Sequence, residues 1–332
     1  RLITRAGLKV GLVLGVIFLG LTYFFYAIGA TITLPWFVFW SLLFSTIYHV
    51  IYWLPYHVEF VTLTPKKTRG RIIGYFAATA SVFGIFTPII AGYSIERFGY
   101  SRLIWFCLIA LACSLVPLLW LKTVKERYSF RYGQTFRELF APHNRALLLV
   151  YGAEGAESVV GALIWPIFLF QLMKGNYLAV GLNTGAIVAV SCVLQLVMGF
   201  LVEKKSNPRL LHVGIGLSSL GWLLKAFVTS VGQIFFAGVY HSFALIIERA
   251  PFESVMYARA ADAGHYIDEY TVLREMALNV GRLLMLLGCL VAVSFYGCAA
   301  CFVLAASATL GHSFVTRLQP IAPGVQIAKS NG

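Results

Sequence analysis

Three sets of ionisable residues fall inside stretches that are otherwise apolar, and each set has the spacing of one helix face. Glu154 and Glu157 stand three apart in VYGAEGAESVVGALIWPIF, beside Gly152, Gly155 and Gly161. Residues three or four apart are neighbours on a helix. Two carboxylates close together in a low-dielectric setting resist being ionised at once, which suits the uptake and release of a proton. The alternative is a structural pair bonded to a neighbouring helix. In DEYTVLREMALNVGR, Glu275, Asn279 and Arg282 form one polar stripe at i, i+4 and i+7. Arg282 can serve an anionic substrate group or pair with Glu154 or Glu157. His241 and Glu248 stand seven apart, again on one face. A histidine there either titrates near neutral pH or stays neutral and hydrogen-bonded. Arg249 and Glu253 have the i, i+4 spacing of an ion pair, and Lys225 reads as a side chain reaching outward to the membrane surface.

The elements that must hold these residues are membrane helices. The chain of 332 residues is 59% hydrophobic and only 12% charged, about half the charge of an ordinary soluble domain. Ten apolar stretches, near 10–30, 33–55, 72–95, 103–121, 146–173, 176–201, 210–229, 233–252, 270–295 and 297–316, approach the roughly 20 residues needed to cross a bilayer. Lipid cannot satisfy backbone hydrogen bonds, so such spans are helical. A barrel would instead show short alternating segments. The predicted fold class is an all-α polytopic membrane protein with about ten transmembrane helices.

Charge gives the orientation. Lys and Arg at the N-terminal end, in every second gap and in the tail number 21, against Arg97, Arg102 and Lys174 on the other side. By the positive-inside rule both termini are cytoplasmic. The net charge of +13 is therefore membrane topology and not a nucleic-acid-binding surface. The six cysteines read as small packing residues, with no disulfide framework, no metal-ligand spacing and no cofactor motif. The longest polar interruption, 122–145, divides an N-terminal bundle of four spans (1–121) from a C-terminal bundle of six (146–318). Within it Tyr132–Phe140 is either a short amphipathic helix or plain linker. The tail 319–332 reads as disordered.

Four spans, a basic loop and six spans resemble the major facilitator superfamily with its first two helices absent, so that residues 1–318 correspond to family helices three to twelve. The third span, GYFAATASVFGIFTPIIAG, carries Gly74, Pro88 and Gly92 in the pattern of the family's antiporter motif, although Thr87 and Ala91 replace glycines. Such small residues also serve plain helix packing. The turn GFLVEKKSNPRLL, with Gly199, Glu203, Lys204 and Arg209, is similar to the family's cytoplasmic gating motif, with Glu in place of its Asp. A solvated charged turn is the other reading. A closer textual copy, GYSIERFGYSR, falls on the external side by the charge count. The chain opens on Arg1 rather than Met, as a chain beginning mid-protein would.

The resemblance implies a secondary transporter in the plasma membrane. It would move a small solute by alternating access, with protons as the expected coupling ion, and act as a monomer in the lipid bilayer. A non-transporting sensor or an inactive fragment is the alternative. A membrane-embedded lipid-modifying enzyme is disfavoured: the chain has no HExxH or paired DxxD, and its only aspartates are Asp262 and Asp268.

Overall fold

The computed structural model describes residues 7–64, 69–121, 132–201, 208–262 and 267–317. Among the described residues all regular structure is helical, and no strand occurs. Two units form: Arg1–Tyr128 with Tyr177–Leu182, and Ser129–Asn176 with Asn183–Gly332. Tyr177–Leu182, at the start of the expected sixth span, group with the first unit.

In the first unit, α1 (Leu8–Ala27) packs on α2 (Leu34–Leu63) and on α4 (Tyr100–Leu119). Between α2 and α4 in sequence lies α3 (Arg69–Phe98), with Pro88 inside it. Gly74 lies on the same helix. Gly92 is buried with no room for a side chain, because the Tyr177 carbonyl at the start of α8 (Tyr177–Leu201) already fills that place. The Gly/Pro motif read from the sequence thus brings two backbones together. The helix surfaces turned outward are apolar: α4 buries none of its residues, and Phe106, Ile109 and Trp120 are exposed.

The second unit opens with α5 (Tyr132–Leu139), so the amphipathic-helix reading of this segment holds; it anchors through buried Leu139. The fifth expected span is built from α6 (Arg145–Val159), a π-helical turn Val160–Ile164 and α7 (Trp165–Leu172). Pro166 lacks an N–H and crowds the preceding turn, and a widened turn relieves that crowding. Then come α9 (Pro208–Ala226), α10 (Val231–Asp262), α11 (Ile267–Tyr296), α12 (Cys298–Thr309) and a 3₁₀ stretch Leu310–Arg317. The main pairings are α6 with α11, α9 with α10 and with α12, and α6 with the 3₁₀ stretch. In lipid, apolar burial alone does not drive helices together, so close packing at small residues must. A methyl group at Gly155 would collide with the Leu278 carbonyl, and one at Gly281 with the Gly152 carbonyl.

Nine helical stretches among the described residues are long and apolar enough to cross a membrane. The expected tenth, 210–229, folds as α9 but falls outside the nine; it carries Arg209, His212 and Lys225. The surface pattern inverts that of a soluble protein. Leu283, Leu284, Leu287, Leu290 and Val291 face outward, while Glu157, Lys225, His241, Glu248 and His312 are buried. The chain is an all-α membrane protein. All six cysteines are free; Cys289 and Cys301 are buried in packing roles.

Candidate functional site

Apart from Glu59 in the first unit, the buried ionisable groups among the described residues lie together in the second unit, and close helix packing sets their positions. On α9, Gly214 and Gly221 are seven apart; on α10, so are Glu248 and His241. The two helices run antiparallel, and the glycines meet these residues in turn. A Cβ at Gly214 would stand 2.6 Å from Glu248 Cα, and one at Gly221 would stand 2.7 Å from His241 Cδ2. The 3₁₀ stretch is drawn onto α6 in the same way, since a Cβ at Gly311 would stand 2.8 Å from that of Ala153. His312 thereby reaches the interior.

Three groups of contacts follow along the unit. In the first, Arg249 Nη1 donates to Glu154 Oε1 at 3.1 Å. Arg274 pairs with Glu275 at 3.1 Å and approaches Glu154 at 4.0 Å. Arg274 also lies over the Tyr151 ring, whose hydroxyl shares a 2.5 Å hydrogen bond with that of Tyr270. In the second, Trp222 Nε1 donates to Glu157 Oε1 at 2.9 Å. His312 Nδ1 meets Glu248 Oε1 at 2.5 Å, and His312 Nε2 lies 3.7 Å from Glu157 Oε2. In the third, Lys225 Nζ bonds His241 Nδ1 at 2.5 Å. The same ammonium lies 4.0 Å from the Trp222 ring centre and 4.5 Å from that of Trp165. Trp222 joins the second and third groups, because its indole N–H serves Glu157 while its face serves Lys225.

This arrangement differs from local spacing in several respects. Glu154 and Glu157 share a helix, yet take different partners: arginines for the first, Trp222 and His312 for the second. Arg249 pairs with Glu154, 95 positions away; the Glu253 side chain, its expected partner, lies outside the described residues. Lys225 does not reach outward. It is only 5% exposed, because His241 accepts from it and two indole faces attract its charge. Arg282 bonds Asn279 Oδ1 at 3.0 Å rather than either glutamate, and Asn279 Nδ2 donates to the Glu275 carbonyl at 2.9 Å. The predicted stripe Glu275, Asn279 and Arg282 is therefore a continuous chain along α11. His241 and Glu248 share a face as expected but serve different neighbours. Of the turn motif, Gly199 is on α8 and exposed Arg209 on α9; Glu203 and Lys204 lie outside the described residues.

Sequence reasoning missed His312 and Trp222. The available signal for His312 was a lone histidine in an otherwise apolar span, and for Trp222 an indole three residues before a lysine at span depth. Buried polar side chains need partners, so both positions implied a partner elsewhere in the chain.

No family model matches this sequence. The chain is 28% identical over 245 residues to a protein of Bacillus subtilis (strain 168) named "Uncharacterized protein YqgE". The similarity covers 71% of this chain and 56% of that protein, so the chain spans little more than half of its relative.

Proposed function

We propose that this chain is a secondary transporter that moves a small solute across the membrane by alternating access, with the proton as coupling ion. The observation that carries this reading is a file of buried ionisable groups inside a unit whose outer surface is apolar. Each such group at membrane depth costs roughly 3 kcal/mol or more and is retained where a solute or ion must be handled. The absence of any nucleotide-binding motif in the sequence points to an ion gradient as the energy source. The resemblance to family helices three to twelve supports the same class, as does the stripe Glu275, Asn279 and Arg282 as a solute-facing surface. Gly199, Glu203, Lys204 and Arg209 would then latch the cytoplasmic side, with both termini in the cytoplasm of a cell bounded by the plasma membrane.

The proton is assigned to the pair Lys225 and His241. At 2.5 Å the two cannot both carry a positive charge. An ammonium at Lys225 donates to a neutral His241, and an imidazolium at His241 requires a neutral amine. The pair therefore holds one exchangeable proton. Trp222 links the pair to Glu157 of α6, and the Trp222 and Trp165 rings flank the Lys225 ammonium.

Purified protein in liposomes, with an imposed pH gradient and a broad solute panel, tests this. At least one solute should accumulate only while the gradient lasts, and His241→Gln and Lys225→Met should abolish the gradient's effect. If no solute moves, the transporter reading fails. If flux persists with unchanged pH dependence in both variants, the pair has no coupling role.

A further inference from the structure

Where Glu157, Glu248 and His312 meet, ligand atoms are left over. Trp222 occupies Glu157 Oε1, and His312 Nδ1 and Glu248 Oε1 occupy each other. Glu157 Oε2, Glu248 Oε2 and His312 Nε2 are buried without a hydrogen-bond partner. Glu157 is 5% exposed, and Glu248 and His312 are each 1% exposed. Buried polar atoms nearly always have partners, so the unpartnered Glu157 Oε2 and His312 Nε2, 3.7 Å apart, mark a deficit that a ligand would fill beside the Glu248 carboxylate.

We infer that these residues bind one divalent first-row transition cation, of which Zn²⁺ and Co²⁺ are the practical probes. Imidazole with carboxylate is a mixed nitrogen and oxygen donor set suited to such ions, whereas Ca²⁺ and Mg²⁺ take oxygen ligands. His312 Nε2 and Glu157 Oε2 lie 3.7 Å apart. Two ligands each about 2.0–2.2 Å from zinc and separated by about 120° stand at about that spacing. Glu248 on Nδ1 supplies the carboxylate contact that usually orients a ligating imidazole and leaves Nε2 free for the metal. One ligand atom from each of the three residues lies within 4.8 Å of the others. Two carboxylates neutralise the 2+ charge inside the unit. The nearest arginine, Arg249, is already engaged by Glu154, and Lys225 by His241.

This inference does not rest on the transport reading, because binding is measured without flux. The metal-stripped full chain in detergent is titrated with Co²⁺, followed by visible ligand-field bands, and with Zn²⁺ against a chromophoric chelator. One equivalent should bind. His312→Gln and Glu157→Gln should weaken it at least about 10-fold, Glu248→Gln about 10–100-fold, and Gly216→Ala, whose Cβ meets nothing within 4 Å, should leave it intact. The thermal midpoint of the wild-type chain should also rise with Zn²⁺ concentration, a readout that needs no variant. Absence of both the cobalt bands and the thermal shift overturns the site. So does undiminished binding in folded His312→Gln and Glu157→Gln, which would mean surface association only.

Discussion

Replacing Gly214 with alanine puts a methyl group where the backbone of Glu248 already stands. Its Cβ would lie 2.6 Å from Glu248 Cα and 2.7 Å from the Glu248 backbone nitrogen. Non-bonded carbons rest at about 3.5–4.0 Å, so α9 and α10 must part by roughly 1 Å. Backbone cannot swing aside as a flexible side chain can, and overpacking of this kind costs about 1–3 kcal/mol. Gly216 supplies the control on the same helix, because an added Cβ there meets nothing within 4 Å. Both substitutions gain the preference of a helix for alanine over glycine, about 1 kcal/mol. Their difference therefore isolates the clash, and Gly214→Ala should be less stable than Gly216→Ala by about 1–3 kcal/mol. The same displacement would stretch the 2.5 Å contact between Glu248 and His312 to the edge of hydrogen-bond range. Unfolding of both variants in one detergent, followed by tryptophan fluorescence, measures the difference. Equal stabilities would refute the argument that this glycine sets the position of Glu248.

Trp222→Phe keeps an aromatic face over Lys225 but removes the donor to Glu157, so it should cost about 1.5–3 kcal/mol as the loss of a hydrogen bond to a carboxylate; the same unfolding assay reads it, and a cost near zero would mean another donor takes over. Glu154→Gln leaves Arg249 and Arg274 without their shared carboxylate. The Arg249 side chain is 43% exposed, so stability should fall by no more than about 1 kcal/mol, while solute flux falls clearly. Melting and liposome flux of the same preparation check this, and unaltered flux would remove Glu154 from the transport cycle.

Several features were legible in the chain by itself. Long apolar runs fixed the helical membrane class, because lipid leaves backbone groups no partner but the helix. Glycines thin the helix beside Glu154 and Glu157, and at one of them, Gly155, the Leu278 backbone packs against it. The polar segment after the fourth span carried enough amphipathic pattern to suggest α5. Periodicity also put Glu275, Asn279 and Arg282 on one face, where side chains and backbone link them along α11. Periodicity reports which face a residue occupies, but not what stands opposite. Arg249 pairs with Glu154, 95 positions away, which no local spacing announces. Lys225 had the length to reach the membrane surface and turned inward to His241. His312 and Glu248 are 64 positions apart, and nothing local couples them. Their meeting depends on which helices pair and in what register. That register is set where Gly214, Gly221 and Gly311 allow backbones and side chains to approach within van der Waals contact, a condition that exists only once the helices have packed.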